Sequence, residues 1–183
     1  MIAPVLPTFL DPIRRAVRSD RVTELTPVLA GLAQRGAFDS GELFAGVRDD
    51  RYARRLLWSD PDGEFTILAM TWAPGQGAPL HDHGGLWGAE VVIEGTMRET
   101  PFSHVDRSAG GRFRFTEEPA NVRTRAEVGV VTPPREYHVF GNAGHTVART
   151  IHVYSGDIPH CTMYCRESDG WWVARHAVLG FDA

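Results

Sequence analysis

His81 and His83 stand one residue apart in "GQGAPLHDHGGLWGAEVVIEG", residues 75–95, between glycine-rich turns and an apolar run. Side chains at i and i+2 of a strand point the same way, so the two imidazoles share one face while Asp82 takes the other. Paired neutral imidazoles on an inward face suit a first-row transition metal. An HxH by itself also fits surface or core histidines, so the surrounding elements carry the argument. Thr150, His152 and Tyr154 fall at i, i+2 and i+4 and share a second strand face.

The elements that must hold these residues are strands. From Tyr52 onward, short β-branched and aromatic runs alternate with the turn clusters "SDPDG" (59–63), "APGQG" (73–77), "AGG" (109–111), "GNAG" (141–144) and "SDG" (168–170). No helix-length segment intervenes, which predicts an antiparallel barrel or sandwich. Before the strands, Asp11 followed by Pro12 predicts an N-cap with proline at the first helical position. Val22, Leu25, Val28, Leu29 and Leu32 then recur at helical spacing until Gly36. The expectation is a mainly β single domain over residues 1–183, with two or three short helices in 1–47 and a barrel over 50–178.

A chain of 183 residues supports one well-buried core. A formal net charge of −4 argues against nucleic acid or an anionic membrane as partner. No apolar run approaches bilayer-spanning length, and the start "MIAPVLPTFLDPIRR" lacks the basic region and long apolar core of a signal peptide. A cytoplasmic protein is expected. Cys161 and Cys165 match neither a zinc pair nor a CxxC redox motif and read as reduced thiols. His104, His145, His160 and His176 lack a partner at ligand spacing and read as surface or structural. Oligomeric state is not legible.

Gly75-x5-His81-x-His83-x4-Gly88-x6-Gly95 follows the first motif of the cupins, G-x5-HxH-x3-4-E-x6-G, with glycine in place of the glutamate. A second cupin motif implies a third histidine with asparagine four residues on, and "TPPREYHVFGN" supplies His138 and Asn142. The chain thus resembles a cupin, which implies a double-stranded β-helix (jelly-roll barrel) holding a metal on His81, His83 and His138. Without the carboxylate, three neutral ligands leave a doubly charged ion uncompensated and three octahedral positions open. Such a site favours an anionic ligand, and a metal deprotonates a thiol. Fe(II) could take a chelating thiolate and O2; nickel, cobalt, copper or zinc would also accept three histidines.

"RYARRLL", "LHDHGG", "EYHVFGN" and "TIHVYS", in this order and spacing, resemble the cysteine dioxygenase family of thiol dioxygenases. The resemblance covers about residues 50–165 and implies conversion of a thiol to a sulfinic acid with iron and O2. It assigns Arg54 to the substrate carboxylate, with Tyr52 beside it, and Met70 is set with them in the pocket. Guanidinium binds a carboxylate bidentately and stays charged when desolvated; strand parity lets only one of Arg54 and Arg55 face inward. It also makes Thr150, His152 and Tyr154 a hydrogen-bond relay whose phenol lies next to substrate and oxygen, threonine taking a serine place. Gly88 stands where animal members have a cysteine crosslinked to the tyrosine, so that crosslink is absent. Related 3-mercaptopropionate dioxygenases typically have glutamine in place of the arginine, so Arg54 favours cysteine. "YSGDIPHC" lacks the Ser-Pro-Pro run found after the tyrosine in animal members.

Glu90 shares strand parity with Gly88, and at the Glu90 position the family usually has an aliphatic residue lining the substrate pocket. A buried carboxylate is costly unless paired or ligated. It could bind a substrate ammonium, act as a base or join the metal, or a bulge could turn it to solvent. The leading expectation is oxidation of L-cysteine to cysteine sulfinate, with both oxygen atoms going to sulfur. The alternatives are a Glu90-assisted decarboxylation or N-to-S rearrangement, oxygenation of 3-mercaptopropionate or mercaptosuccinate, and a non-redox metal cupin acting as isomerase or small-acid sensor.

Overall fold

In the computed structural model, residues 6–18 and 22–183 are described; residues 1–5, part of the stretch read for a leader, lie outside them. Helix α1 spans Leu6–Val17 and α2 spans Val22–Gln34, followed by a single 3-10 turn at Gly41–Leu43. α2 buries Leu25, Leu29 and Leu32 along one stripe, and α1 packs Phe9, Leu10, Ile13 and Ala16 into the same cluster. α1 departs from the sequence expectation, because Asp11 and Pro12 lie within the helix instead of opening it. The proline removes one internal hydrogen bond. Fully buried Phe9 and Ile13 on either side of it hold the helix across the gap. α2 ends at Gly36, whose φ of 76° lets Ala37 N–H donate to the Leu32 carbonyl at 3.0 Å, the closing bond of a left-handed cap.

The strands are β1 (Ala53–Ser59), β2 (Thr66–Trp72), β3 (Gly77–His81), β4 (Gly88–Glu94), β5 (Met97–Arg107), β6 (Phe113–Glu117), β7 (Asn121–Arg123), β8 (Val128–Val131), β9 (His138–Asn142), β10 (Ala148–Tyr154), β11 (His160–Arg166) and β12 (Trp172–Val178). They pair antiparallel into a five-stranded sheet, β1-β2-β10-β4-β8, and a seven-stranded sheet, β6-β12-β11-β3-β9-β5-β7. This is the mainly β, helix-first double-stranded β-helix that the turn spacing and motifs led us to expect.

The five-stranded sheet is covered on both faces, which explains its nearly unbroken apolar runs such as "TILAMTW". On β2, Ile67 and Ala69 face the helices, while Leu68, Met70 and Trp72 face the interior between the sheets. Ile67, Leu68 and Met70 each contribute about 1.5–3 kcal/mol on burial. The inner face therefore holds the second core cluster, with Met97 and Phe140 from the other sheet. Gly95 turns β4 into β5 with φ 81°, and a Cβ there would lie 2.7 Å from the Ala148 Cβ. Both the backbone and the packing demand glycine at this motif position. Among the described residues no helix is long and apolar enough to cross a membrane.

Candidate metal centre

His81 closes β3 and His138 opens β9, and the two are direct cross-strand partners. His83 follows two residues beyond, and one potential ligand atom from each of the three rings lies within 4.8 Å of the others. Among the described residues this is the one such cluster of metal-ligating side chains, whereas His104, His145, His160 and His176 are exposed. His81 Nδ1–H donates to the Pro79 carbonyl (2.8 Å) and His138 Nδ1–H to Glu99 Oε1 (3.0 Å). Each bond leaves the Nε2 lone pair free to ligate. His83 Nδ1 is buried without a hydrogen-bond partner.

Burial and then the neighbouring histidines hold His83 well below its ordinary pKa. His81 is only partly exposed, and desolvation followed by His138 lowers it to about 3. Two rings are thus neutral, the state that binds a metal. A donor set of clustered, neutral, desolvated imidazoles fits a divalent transition metal.

The HxH segment is tied down from behind. Asp82 accepts from the Tyr164 hydroxyl (2.9 Å), Thr162 N–H (3.0 Å) and Gly84 N–H (3.2 Å). The Glu136 carboxylate accepts from His83 N–H (3.1 Å) and Gly85 N–H (3.2 Å). These bonds fix the turn on which His83 rides; sequence reasoning gave Asp82 only a direction and did not single out Glu136.

The facing sheet supplies the other wall of one cavity, which includes Arg54, Met70, Glu90, His152 and Tyr154 along with the three histidines. Arg54 is 4% exposed, and Tyr52 stacks on Trp72 with ring centroids 4.2 Å apart. Arg55 points elsewhere and donates to the Glu42 carbonyl (2.8 Å). Arg54 Nη1 donates to the carbonyl of Gly180 at 3.3 Å, and its guanidinium lies 5.5 Å from the Phe181 ring centre.

Trp72 Nε1–H, from the end of β2, donates to Thr150 Oγ1 on β10 (2.9 Å), which lies 2.8 Å from His152 Nε2; His152 Nδ1 lies 3.2 Å from the Tyr154 hydroxyl. An indole only donates, so Thr150 accepts from it and keeps its own proton to give, and in the relay that runs outward to the cavity that proton goes to Nε2. Nδ1–H of His152 then donates to the phenol oxygen, and the phenolic proton is left for the cavity. Burial, then the Arg54 charge, lowers His152 to about 3, consistent with this neutral tautomer. Burial raises the Tyr154 phenol well above its usual range. Gly88 is the cross-strand partner of Tyr154, and a Cβ there would lie 2.9 Å from Tyr154 Cε1. The missing side chain makes room for the ring.

Glu90 is 3% exposed and faces inward with no bulge at its position. Its partner is Arg123, Nη1 to Oε1 at 3.5 Å, and Arg123 Nη2 also meets Glu99 Oε2 at 2.7 Å. A row thus runs Glu90, Arg123, Glu99, His138, with the two carboxylates and the imidazole buried and Arg123 partly so. Burial, then the Glu99 charge, raises Glu90 to about 8. Glu99, despite burial acting to raise it, is held low by the hydrogen bond from His138 and by Arg123. Neither Glu99 nor Arg123 was singled out from sequence. Glu99 had a signal in its parity with Met97, a buried residue two positions earlier. Cys161 lines the same cavity, its thiol raised by burial to about 11 and so unreactive.

Comparison with known proteins follows these residues. Cysteine dioxygenase type 1 of Homo sapiens is 24% identical over 120 residues, which cover 65% of this chain and 58% of that protein. The Danio rerio protein of the same name is 25% identical over 122 residues, covering 66% and 59%. The match therefore spans less than two thirds of these relatives' length. Among solved structures, an oxalate oxidase is 21% identical with a TM-score of 0.51, covering 69% of this chain and 62% of that one. A recombinant oxalate oxidase in complex with glycolate is also 21% identical, with a TM-score of 0.50 and coverage of 65% and 59%. These two likenesses concern the fold alone. The family model described as cysteine dioxygenase type I matches residues 14–167, the histidine centre and the facing wall included, and the chain belongs to that family.

Proposed function

We propose that the chain is an iron-dependent thiol dioxygenase, adding both atoms of O2 to the sulfur of a small mercapto-carboxylate, with L-cysteine as substrate and the sulfinate as product. The observation that carries this reading is one cavity lined by three clustered histidines, the Arg54 guanidinium and the Tyr154 phenol. The relatives named cysteine dioxygenase support the choice of thiol. Held by His81, His83 and His138, Fe(II) would supply a redox-active Lewis acid with positions left for thiolate and O2. Nickel or another divalent transition metal fits the same nitrogens.

The chain's own residues do the positioning. Arg54 would bind the substrate carboxylate through charge-assisted, bidentate hydrogen bonds. Tyr154 keeps its proton at neutral pH and would donate it as a hydrogen bond to negative charge developing on oxygen or sulfur. His152 orients that phenol, and Thr150 and Trp72 orient His152. Buried Met70, Trp72 and Ile158 keep water from the reacting groups.

Glu90 favours a second product class. Its carboxyl, raised to about 8, stands in the same cavity, and the fraction that has lost its proton as pH rises towards 8 could take one from a substrate amine. A freed nitrogen would open the way to decarboxylated or N-to-S rearranged products. An unchanged product from Glu90→Leu would remove this reading.

The deciding experiment loads the protein with Fe(II) and follows O2 uptake with L-cysteine, 3-mercaptopropionate and mercaptosuccinate, each product identified by mass. Uptake with cysteine and a gain of two oxygens is expected. Silence with all three thiols would overturn the proposal.

A further inference from the structure

We propose that Glu99 is the positioning residue of the histidine centre and returns to it, through His138, the negative charge that Gly88 does not provide. The inference rests on reading His81, His83 and His138 as metal ligands. Those three rings are held differently. His81 Nδ1 bonds a neutral carbonyl and His83 Nδ1 has no partner, whereas His138 Nδ1 meets a carboxylate at 3.0 Å. His138 is therefore the ligand through which a formal charge acts on the metal. A carboxylate on Nδ1 fixes the ring's rotation, holds the proton on that nitrogen and makes Nε2 a stronger donor.

Glu99 is built for this. Its side chain is 4% exposed, and its two oxygens have separate partners, Oε1 on His138 and Oε2 on Arg123 at 2.7 Å. With both oxygens engaged, the carboxylate cannot rotate away from the imidazole without giving up its ion pair with the partly buried Arg123. Arg123 and Met97 are cross-strand partners, and Glu99 lies two residues beyond Met97, so guanidinium and carboxylate share one face of the sheet. The shorter of the two Arg123 contacts goes to Glu99 and the longer, 3.5 Å, to Glu90. Arg123 anchors the carboxylate behind the ligand more tightly than the carboxyl in the cavity wall.

The test is cobalt(II) binding to the metal-free protein, followed by visible absorption and by competition with a chelator. Glu99→Gln keeps an acceptor for Nδ1–H but loses the charge, and Glu99→Leu loses both. The dissociation constant should rise about 10-fold for the first and about 100-fold for the second, with the cobalt spectrum altered most in the leucine variant. The metal-free glutamine variant, which keeps an acceptor for His138 but turns its amide nitrogen towards Arg123, should melt somewhat below the wild type yet remain folded. If both variants bind cobalt within about threefold of wild type with unchanged spectra, the inference is overturned; if the leucine variant does not fold, the glutamine variant decides alone. No thiol or O2 is present, so this result stands apart from the oxygen-uptake experiment. A silent wild-type enzyme would sink the dioxygenase proposal alone, and unchanged cobalt binding in the variants would sink this one alone.

Discussion

Glu90 and Gly129 are cross-strand partners, and the Glu90 carboxyl occupies the space that a side chain at 129 would need. A Cβ on Gly129 would meet Glu90 Oε1 and lie 2.7 Å from Arg123 Cζ. Gly129 is thus a notch that lets the Glu90 carboxyl and the Arg123 guanidinium lie flat against β8.

Gly129→Ala should therefore destabilise the protein by about 1–3 kcal/mol, the usual cost of overpacking a tight interior site. The same substitution in a Glu90→Ala background should cost less, because the collision with Glu90 Oε1 is gone and Arg123, released from that carboxyl, can shift into the space left. Urea unfolding of the four proteins in this cycle measures the coupling. Equal costs in both backgrounds would show that the notch does not serve Glu90.

Glu90 also predicts a pH dependence in the metal-free protein. Its folded pKa of about 8 exceeds the ordinary value of 4.5, so between these limits the folded chain holds a proton that the unfolded chain has lost. Stability fully present below 4.5 is lost as pH rises towards 8. His81 and His152 act oppositely: both are lowered from 6.5 to about 3, so they add stability as pH rises to 6.5 and are flat above it. From pH 6.5 to 8 the Glu90 slope should be visible, up to about 1.4 kcal/mol per pH unit. Urea midpoints of wild type and Glu90→Gln should diverge over that window, with the wild type falling; parallel profiles would refute the assignment.

The phenol at 154 carries a third expectation. Tyr154→Phe keeps the ring in the space beside Gly88 and removes the one hydroxyl that the relay aims into the cavity. The turnover number of oxygen uptake with L-cysteine should fall on the order of 100-fold, the loss typical of a single donor to developing charge. KM should change little, since on the proposed reading the carboxylate is bound by Arg54 and not by the phenol. Thr150→Val should reproduce a smaller part of the loss by letting His152 turn. A full turnover number in Tyr154→Phe would exclude the phenol from the reaction.

How far the sequence reached follows from which interactions are local. The strands were legible because their apolar runs and turn clusters are local, and Gly75 and Gly95, with φ of 77° and 81°, mark turns that only glycine takes easily. The Asp11-Pro12 start was misread because packing by Phe9 and Ile13 outweighs one lost backbone hydrogen bond. Within the site, i and i+2 spacing groups His81 with His83 and orders Thr150, His152 and Tyr154. Glu99, Arg123 and Glu90 could not be joined that way. They sit on β5, β7 and β4, and their meeting is set by strand register, Met97 against Arg123 and Glu90 against Gly129. A sequence with one unusual buried acid announces that a partner exists without saying where.

Arg54 yields the last prediction, because its guanidinium already holds an oxygen. Nη1 donates to the Gly180 carbonyl, and the segment carrying that carbonyl is latched by Asp182, which pairs with Arg51 (2.7 Å) and Arg48 (3.1 Å) and accepts from Arg54 N–H (2.9 Å). Leu179 of this segment lines both the inner cavity and the outer cleft beside it. A substrate carboxylate is a charged, bidentate acceptor and outcompetes one neutral carbonyl, but the strap still competes for the same donors. Two substitutions should then move KM for L-cysteine in opposite directions. Arg54→Gln removes the charge and should raise it about 100-fold, within the range of a lost charge-assisted hydrogen bond. Asp182→Asn loosens the latch and should lower it a few-fold, with faster amide exchange at residues 179–182. If Asp182→Asn instead raised KM as Arg54→Gln does, the strap would be holding Arg54 in place for the substrate, and the competition between carbonyl and carboxylate would be refuted.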